Sequence, residues 1–333
     1  MAGLLPGSAG NAVKNAIVFV LILCALVFAG TKWHMHRKVG DSVDIAVLMV
    51  APFVEITYEG VSSTLSGQLT VDGVRARVTG FKDEIVIDRI GIDTPNFLSL
   101  LKLADITSNP NAIASDMPEY FGFIAEGVRM PVNADYFREM YQLKLAALGV
   151  ADTADAAAEC VGKYGFSPKA LAGLGYSEQV VSVGVIFRQQ GSRFVVDISS
   201  SADQMWEVDM QMTLAGDLVT ELSKGSAYRP RMSDLRIEYA DRSLNNRVRK
   251  YCASRGLSEE EIFAAQMDAF EFMGRANGIV FDDYMIGPYK EFLGGKTSFV
   301  ITAKPSEPVT LSQLKLYNPA DVPALLDLTA TAM

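Results

Sequence analysis

The chain has 333 residues, 49% of them hydrophobic, and a formal net charge of −9. That is enough apolar material for one large core or two modest ones. An acidic chain with no basic stripe in its body argues against nucleic acid as a partner, because that affinity comes from Lys and Arg neutralising phosphates. The only two histidines, His34 and His36, precede the body. Histidine-dependent nucleophiles and histidine-ligated zinc are therefore excluded from it.

The N-terminal stretch 11–38 reads NAVKNAIVFVLILCALVFAGTKWHMHRK. From Ala16 to Gly30 it carries no charge. As a helix this run spans roughly 22 Å, short of the roughly 30 Å hydrocarbon core. Lys14 snorkelling at one end, with Trp33, Arg37 and Lys38 at the other interface, would complete a crossing. The expectation is a single-pass anchor over residues 1–40. Two alternatives stay open. Val27-Phe28-Ala29 before Gly30 suits a signal-peptide cleavage site, and the run could also be a buried helix. Leu21-Ile22-Leu23-Cys24 has the outline of a lipoprotein box, but Leu23 is bulky where a small residue is needed. Lys32, Arg37 and Lys38 lean toward a cytoplasmic body by the positive-inside rule; the features that follow lean outward. His34-Met35-His36 offers too few ligands for a metal site.

The body, residues 41–333, falls into four stretches. Residues 53–94 read as a β meander: Phe53 to Leu65, then Gly67 to Thr79, then Glu84 to Asp93. The alternation slips phase at Asp72-Gly73, which suggests a bulge or tight turn, and in the third strand Ile85, Ile87 and then Ile90, Ile92 alternate. Thr94-Pro95 opens a short helix with Thr94 at the cap. Residues 95–175 read as a helical insert, with Ala134 to Leu148 its best helix. Residues 178–240 read as a second meander. Val181, Val183, Val185 and Phe187 alternate, Gln190-Gly191 turns, and Phe194, Val196 and Ile198 alternate back. Trp206, Val208, Met210, Met212 and Leu214 then share one face, with polar residues on the other. In residues 241–333, helices run from Asp241 to Ser254, from Ser258 to Gly274 and near Tyr284 to Leu293. Ser258 and Glu261 form a capping box there, with Leu257 and Ile262 as its staple. A last strand covers Lys296 to Lys304, and a short helix covers Asp321 to Thr329.

Cys160 and Cys252 lie too far apart in sequence for a metal or redox motif. In an oxidising compartment they can form a disulfide; otherwise they are two unrelated buried thiols. Ser312-x-x-Lys315 matches one short motif of penicillin-recognising enzymes, but its companion motifs are absent. Asp282-Asp283 has no partner carboxylates and reads as a solvated turn. No cofactor or catalytic residue is indicated, and the chain reads as a non-enzyme. Trp206, Val208, Met210, Met212 and Leu214 could line an apolar ligand face; core packing explains the same pattern.

The text from Ile56 to Leu101, ITYEGVSSTLSGQLTVDGVRARVTGFKDEIVIDRIGIDTPNFLSLL, resembles the opening sheet of AsmA-like and related single-pass envelope proteins of Gram-negative bacteria. LRIEYADRSLNNRVRKY, Leu235 to Tyr251, resembles a strand-to-helix element in small periplasmic proteins of that group. The resemblance implies a periplasmic body with a curved sheet and a role in envelope maintenance or lipid handling. The expected fold class is thus α+β: an N-terminal transmembrane helix, then a curved antiparallel sheet packed against helices. The expected location is the inner membrane with the body in the periplasm. The expected function is binding of an apolar ligand such as membrane lipid on the sheet face. The alternative is a membrane-anchored scaffold or assembly factor for other envelope proteins.

Overall fold

A single antiparallel sheet of 12 strands organises the chain. The computed structural model describes residues 51–64, 66–100, 118–150, 156–216 and 231–333. Ten strands follow one another edge to edge in the order β1, β3 to β10 and β12. They are β1 (Val54–Thr57), β3 (Gln68–Val78), β4 (Ile85–Asp93), β5 (Tyr120–Pro131), β6 (Glu178–Gln190), β7 (Arg193–Ala202), β8 (Trp206–Ala215), β9 (Arg231–Asp241), β10 (Ser298–Ala303) and β12 (Leu328–Ala332). Two short strands lie off this path: β2 (Gly60–Ser63) pairs with β3, and β11 (Val309–Thr310) pairs with β9.

The fold class expected from the sequence is corrected by this sheet. β5 runs through the stretch read as a helical insert and joins the two expected meanders. β12 begins at Leu328 and Thr329, the last two residues of the stretch read as a helix, and that helix stops at Leu325. No helix among the described residues is long and apolar enough to cross a membrane. The predicted anchor, with Lys14, Cys24, Trp33, His34, His36, Arg37 and Lys38, lies outside the described residues. The sequence reading missed β5 for a local reason. Glycines at 122 and 127 interrupt its alternation, and Gly127 has a positive φ of 62°.

The phase slip read in β3 has counterparts in β4 and β5. Apolar residues step by three instead of two at the same level of neighbouring strands. In β3 the step runs from Val71 to Val74, in β4 from Ile87 to Ile90, and in β5 from Ala125 to Val128. Registry pairs Val71 with Ile90 and Ala125, and Val74 with Ile87 and Val128. Gly73 (φ 63°) and Gly127 supply the left-handed residues this line needs. At the next pairing, β5 with β6, the register itself shifts between Ala125 and Val128. The result keeps Leu69, Val71, Val74, Ile87, Ile90, Ile92, Phe123 and Ala125 in one core, closed by Phe97 and Leu100.

Beside the helical residues 97–100 and a 3-10 helix, the described residues hold α1 (Asp135–Ala147), α2 (Ala156–Cys160), α3 (Pro168–Gly173), α4 (Leu244–Ser254), α5 (Glu259–Ala276), α6 (Asp283–Leu293) and α7 (Val322–Leu325). Their sequences carry the stop and start signals. Ser258 accepts from the Glu261 amide while the Glu261 carboxylate accepts from the Ser258 amide, so the capping box forms at α5. Asp282 caps α6 by accepting from the Tyr284 amide at 3.1 Å. Asn96, rather than Thr94, takes the capping role after β4 and accepts from the Ser99 amide at 2.9 Å. The Thr94 hydroxyl instead donates to the Gly67 carbonyl.

Candidate functional site

The apolar side of the sheet continues from β5 to β10 as rungs of directly opposed residues. One rung is Val128, Val181, Ala202 and Trp206. The next is Ala125, Val183, Ser200, Val208, Tyr239 and Phe299. The third is Phe123, Val185, Ile198, Met210, Ile237 and Ile301. The fourth is Phe121, Phe187, Val196, Met212, Leu235 and Ala303.

Different parts of the fold cover different ends of these rungs. At the first rung, α2, α3, α4 and the start of α5 enclose Cys160, Leu171, Leu174, Val248, Cys252 and Ile262 with Ala202 and Trp206. Beyond the fourth rung, Phe194, Leu214 and Met232 pack with Val322 and Leu326 around α7. Along one side, Met267 and Phe270 of α5 and Met285, Phe292 and Leu293 of α6 pack on Phe299, with Tyr239, Ile301 and β12 against them. The aromatic contacts there are close: the Phe270 and Tyr289 rings stack at 3.9 Å.

Between these clusters lies a stretch that joins none of them. Val183, Val208, Met210 and Ile237 are half-buried and belong to no apolar cluster among the described residues. They occupy the second and third rungs across four strands, β6 to β9. At about 4.8 Å per strand spacing that is roughly 14 Å across. The floor is apolar apart from Ser200, which faces Val183 and Val208.

The five residues singled out on β8 are therefore divided. Trp206 packs into the helical end, and Met212 and Leu214 into the α7 end. Val208 and Met210, partly buried like Trp206 and Met212, join no cluster among the described residues. Val183 and Ile237 complete that stretch, and the sequence reading did not join them to it. The signal existed: a tight turn at Gln190-Gly191 fixes Gln190 opposite Arg193, which sets Val183 against Ser200.

The opposite side of the sheet is polar and crossed by ion pairs. Arg89 reaches Asp72 at 2.9 Å and Glu126 at 3.7 Å, and Arg129 reaches Asp88 at 2.7 Å. Arg188 pairs with Asp197, which also accepts from Gln211 at 2.8 Å. Asp209 lies directly opposite Glu238. Partial burial, then Glu207 and Glu238, hold its carboxyl above the usual aspartate range. On the apolar side, burial pushes the Tyr239 phenol up, and pushes Tyr289 up to about 12. Both remain neutral at ordinary pH and offer no general base.

Cys160 in α2 and Cys252 in α4 are joined by a disulfide, with Cα atoms 5.6 Å apart, and both are fully buried. Nearby, Arg247 lies over the Tyr176 ring and donates to the Leu174 carbonyl and to the Gln204 side chain. It ties α4 to the β7–β8 turn. Ser312 and Lys315 lie in a 3-10 helix, Leu311–Leu316. No group of three or more His, Cys, Asp or Glu residues able to hold a metal occurs among the described residues.

A family model described as "Uncharacterized protein" matches residues 195–333, from β7 to the last strand. It covers Val208, Met210 and Ile237 but not Val183, and its description carries no function and no link to AsmA-like proteins. No curated protein matches the chain.

Proposed function

We propose that this chain is a non-enzymatic binding protein of an oxidising, extracytoplasmic compartment, the periplasm. It holds an apolar ligand of the lipid class against the partly buried stretch of its sheet that joins no cluster among the described residues. The observation that carries the reading is the floor formed by Val183, Val208, Met210 and Ile237, which are partly buried and join no apolar cluster among the described residues, while the rungs on either side pack into the clusters at the helical and α7 ends. Apolar side chains in mid-sheet ordinarily join a packed cluster; one flexible thioether among branched residues suits a surface that adapts to an acyl chain. The buried Cys160–Cys252 bridge supports the compartment, since such bridges persist where thiols are not kept reduced. The resemblance of residues 56–101 to AsmA-like proteins supports the same ligand class.

The test is organic extraction and mass spectrometry of the purified full chain, beside a Val208→Asp/Met210→Asp variant. Wild type should carry phospholipid or fatty acid in stoichiometric amount, and the variant should lose it while keeping its near-UV circular dichroism. A lipid-free wild type that also binds none when mixed with phospholipid vesicles would overturn the ligand. Reduced, shielded Cys160 and Cys252 in intact cells would overturn the compartment.

A further inference from the structure

The two lateral edges of the sheet are built differently. At one edge the outer strand is broken into β1 and β2, both paired to β3. It carries Glu55, which pairs with Arg77, and Glu59 lies in the break. Interruption and charge are the ordinary protection of an edge. The other edge is β12, Leu328-Thr329-Ala330-Thr331-Ala332, which has no charge, no proline and no bulge in its pairing with β10.

The hydrogen-bond phase of β12 can be read from its end. Met333 and Ser298 exchange both backbone bonds, at 3.0 and 3.1 Å. By alternation Thr331 and Thr329 also bond inward to β10. The amides and carbonyls of Leu328, Ala330 and Ala332 therefore point outward, and no strand among the described residues pairs with them. Their side chains pack under α6 on the apolar side. Thr329 and Thr331 are exposed on the polar side, where the Thr329 and Thr302 hydroxyls already bond at 2.6 Å.

We propose that β12 pairs antiparallel with the β12 of a second copy, about a two-fold axis at Ala330, so that the sheet runs on from one protomer to the other. The phase permits it. Ala330 would face Ala330 of the partner subunit, and Leu328 would face the partner's Ala332. All are outward-bonding positions, and six backbone hydrogen bonds would close. Thr329 would face the partner's Thr331, extending the hydroxyl ladder. The charge argument favours self-pairing: in a chain of net charge −9, this neutral strand brings two copies together without setting like charges opposite one another.

The experiment is sedimentation velocity of the full chain in mild detergent at tens of micromolar. Wild type should sediment as a dimer. Ala330→Pro removes an outward amide that the internal ladder does not use, and should give a monomer. A variant with Thr329→Lys and Thr331→Lys, and another with Thr329→Glu and Thr331→Glu, should each be monomeric. Mixed, they should form a heterodimer, because each introduced lysine would then face an introduced glutamate across the two-fold axis. A monomeric wild type overturns the proposal. So does a dimer that all these variants leave intact.

Discussion

Removing the Cys160–Cys252 bridge tests how the helical end of the sheet is held. The bond spans 92 residues of sequence. The loop it closes includes α3, β6, β7, β8, β9 and most of α4. In the chain-entropy model a closed loop of that size removes about 16 cal/mol/K from the unfolded ensemble, or about 4.6 kcal/mol at 25 °C. For a chain of this size a urea m-value of about 3 kcal/mol/M is reasonable, so the unfolding midpoint should fall by roughly 1.5 M. The variant to make is Cys160→Ala with Cys252→Ala, compared with oxidised and with dithiothreitol-reduced wild type. Both disulfide-free forms should lose stability to a similar extent. Their m-values should also rise, because the uncrosslinked unfolded chain exposes more surface. An unchanged midpoint would refute the reasoning. So would a large loss in the alanine variant with none on reduction, which would mean that sulfur packing, and not the crosslink, supplies the stability.

Asp209 lies opposite Glu238, and its raised pKa means that the folded state holds its proton more tightly than the unfolded chain does. Stability from this group is complete below the ordinary aspartate value of about 3.9 and is lost as pH rises through the folded-state value. Ionised Asp209 therefore opposes folding at neutral pH. Asp209→Asn should raise the urea midpoint at pH 7, with the gain shrinking toward pH 4; a gain independent of pH would show a different cause. Gly127→Ala places a methyl group about 2.1 Å from an Asp88 carboxylate oxygen at a φ of +62°. A loss of at least about 1–2 kcal/mol is expected from the left-handed conformation alone, read by urea unfolding. Adding Asp88→Ala should recover the part due to the clash.

How much of this was legible depends on whether the signal was local. The capping box of Ser258 and Glu261 is a contact three residues apart, and its text states it directly. The slip at Asp72-Gly73, and the spacing of Ile87 and Ile90, were also visible. Their alignment across three strands was not, because alignment requires the register. β5 was hidden because its two glycines break the period that announces a strand. β12 was hidden because Leu-Thr-Ala-Thr-Ala, although it alternates and carries two β-branched threonines, is only five residues long with two alanines on its apolar face, and pairing with β10 decides its conformation. The candidate site was half legible. Alternation gave the face of β8, but nothing in β8 distinguishes Trp206, which packs into the helical cluster, from Met210, which joins no cluster among the described residues.

That last difference decides what the floor can do. An area of roughly 14 by 10 Å of apolar surface supports only about 4 kcal/mol on covering, equivalent to millimolar affinity. A ligand held more tightly must also touch the rims. One rim is α5, whose first turns pack Ile262 with the residues around the disulfide and whose middle packs Met267 and Phe270 against Phe299 of β10. The same helix thus links the crosslinked end of the sheet to the side beside Ile237 and Tyr239. Opening the disulfide should loosen that rim without altering the floor. On this reasoning the reduced protein still binds apolar ligands, but with affinity falling toward the millimolar limit of the floor alone. Titration of oxidised and reduced protein with a fluorescent fatty acid would separate the two contributions. Equal affinities would show that α5 adds nothing to the site.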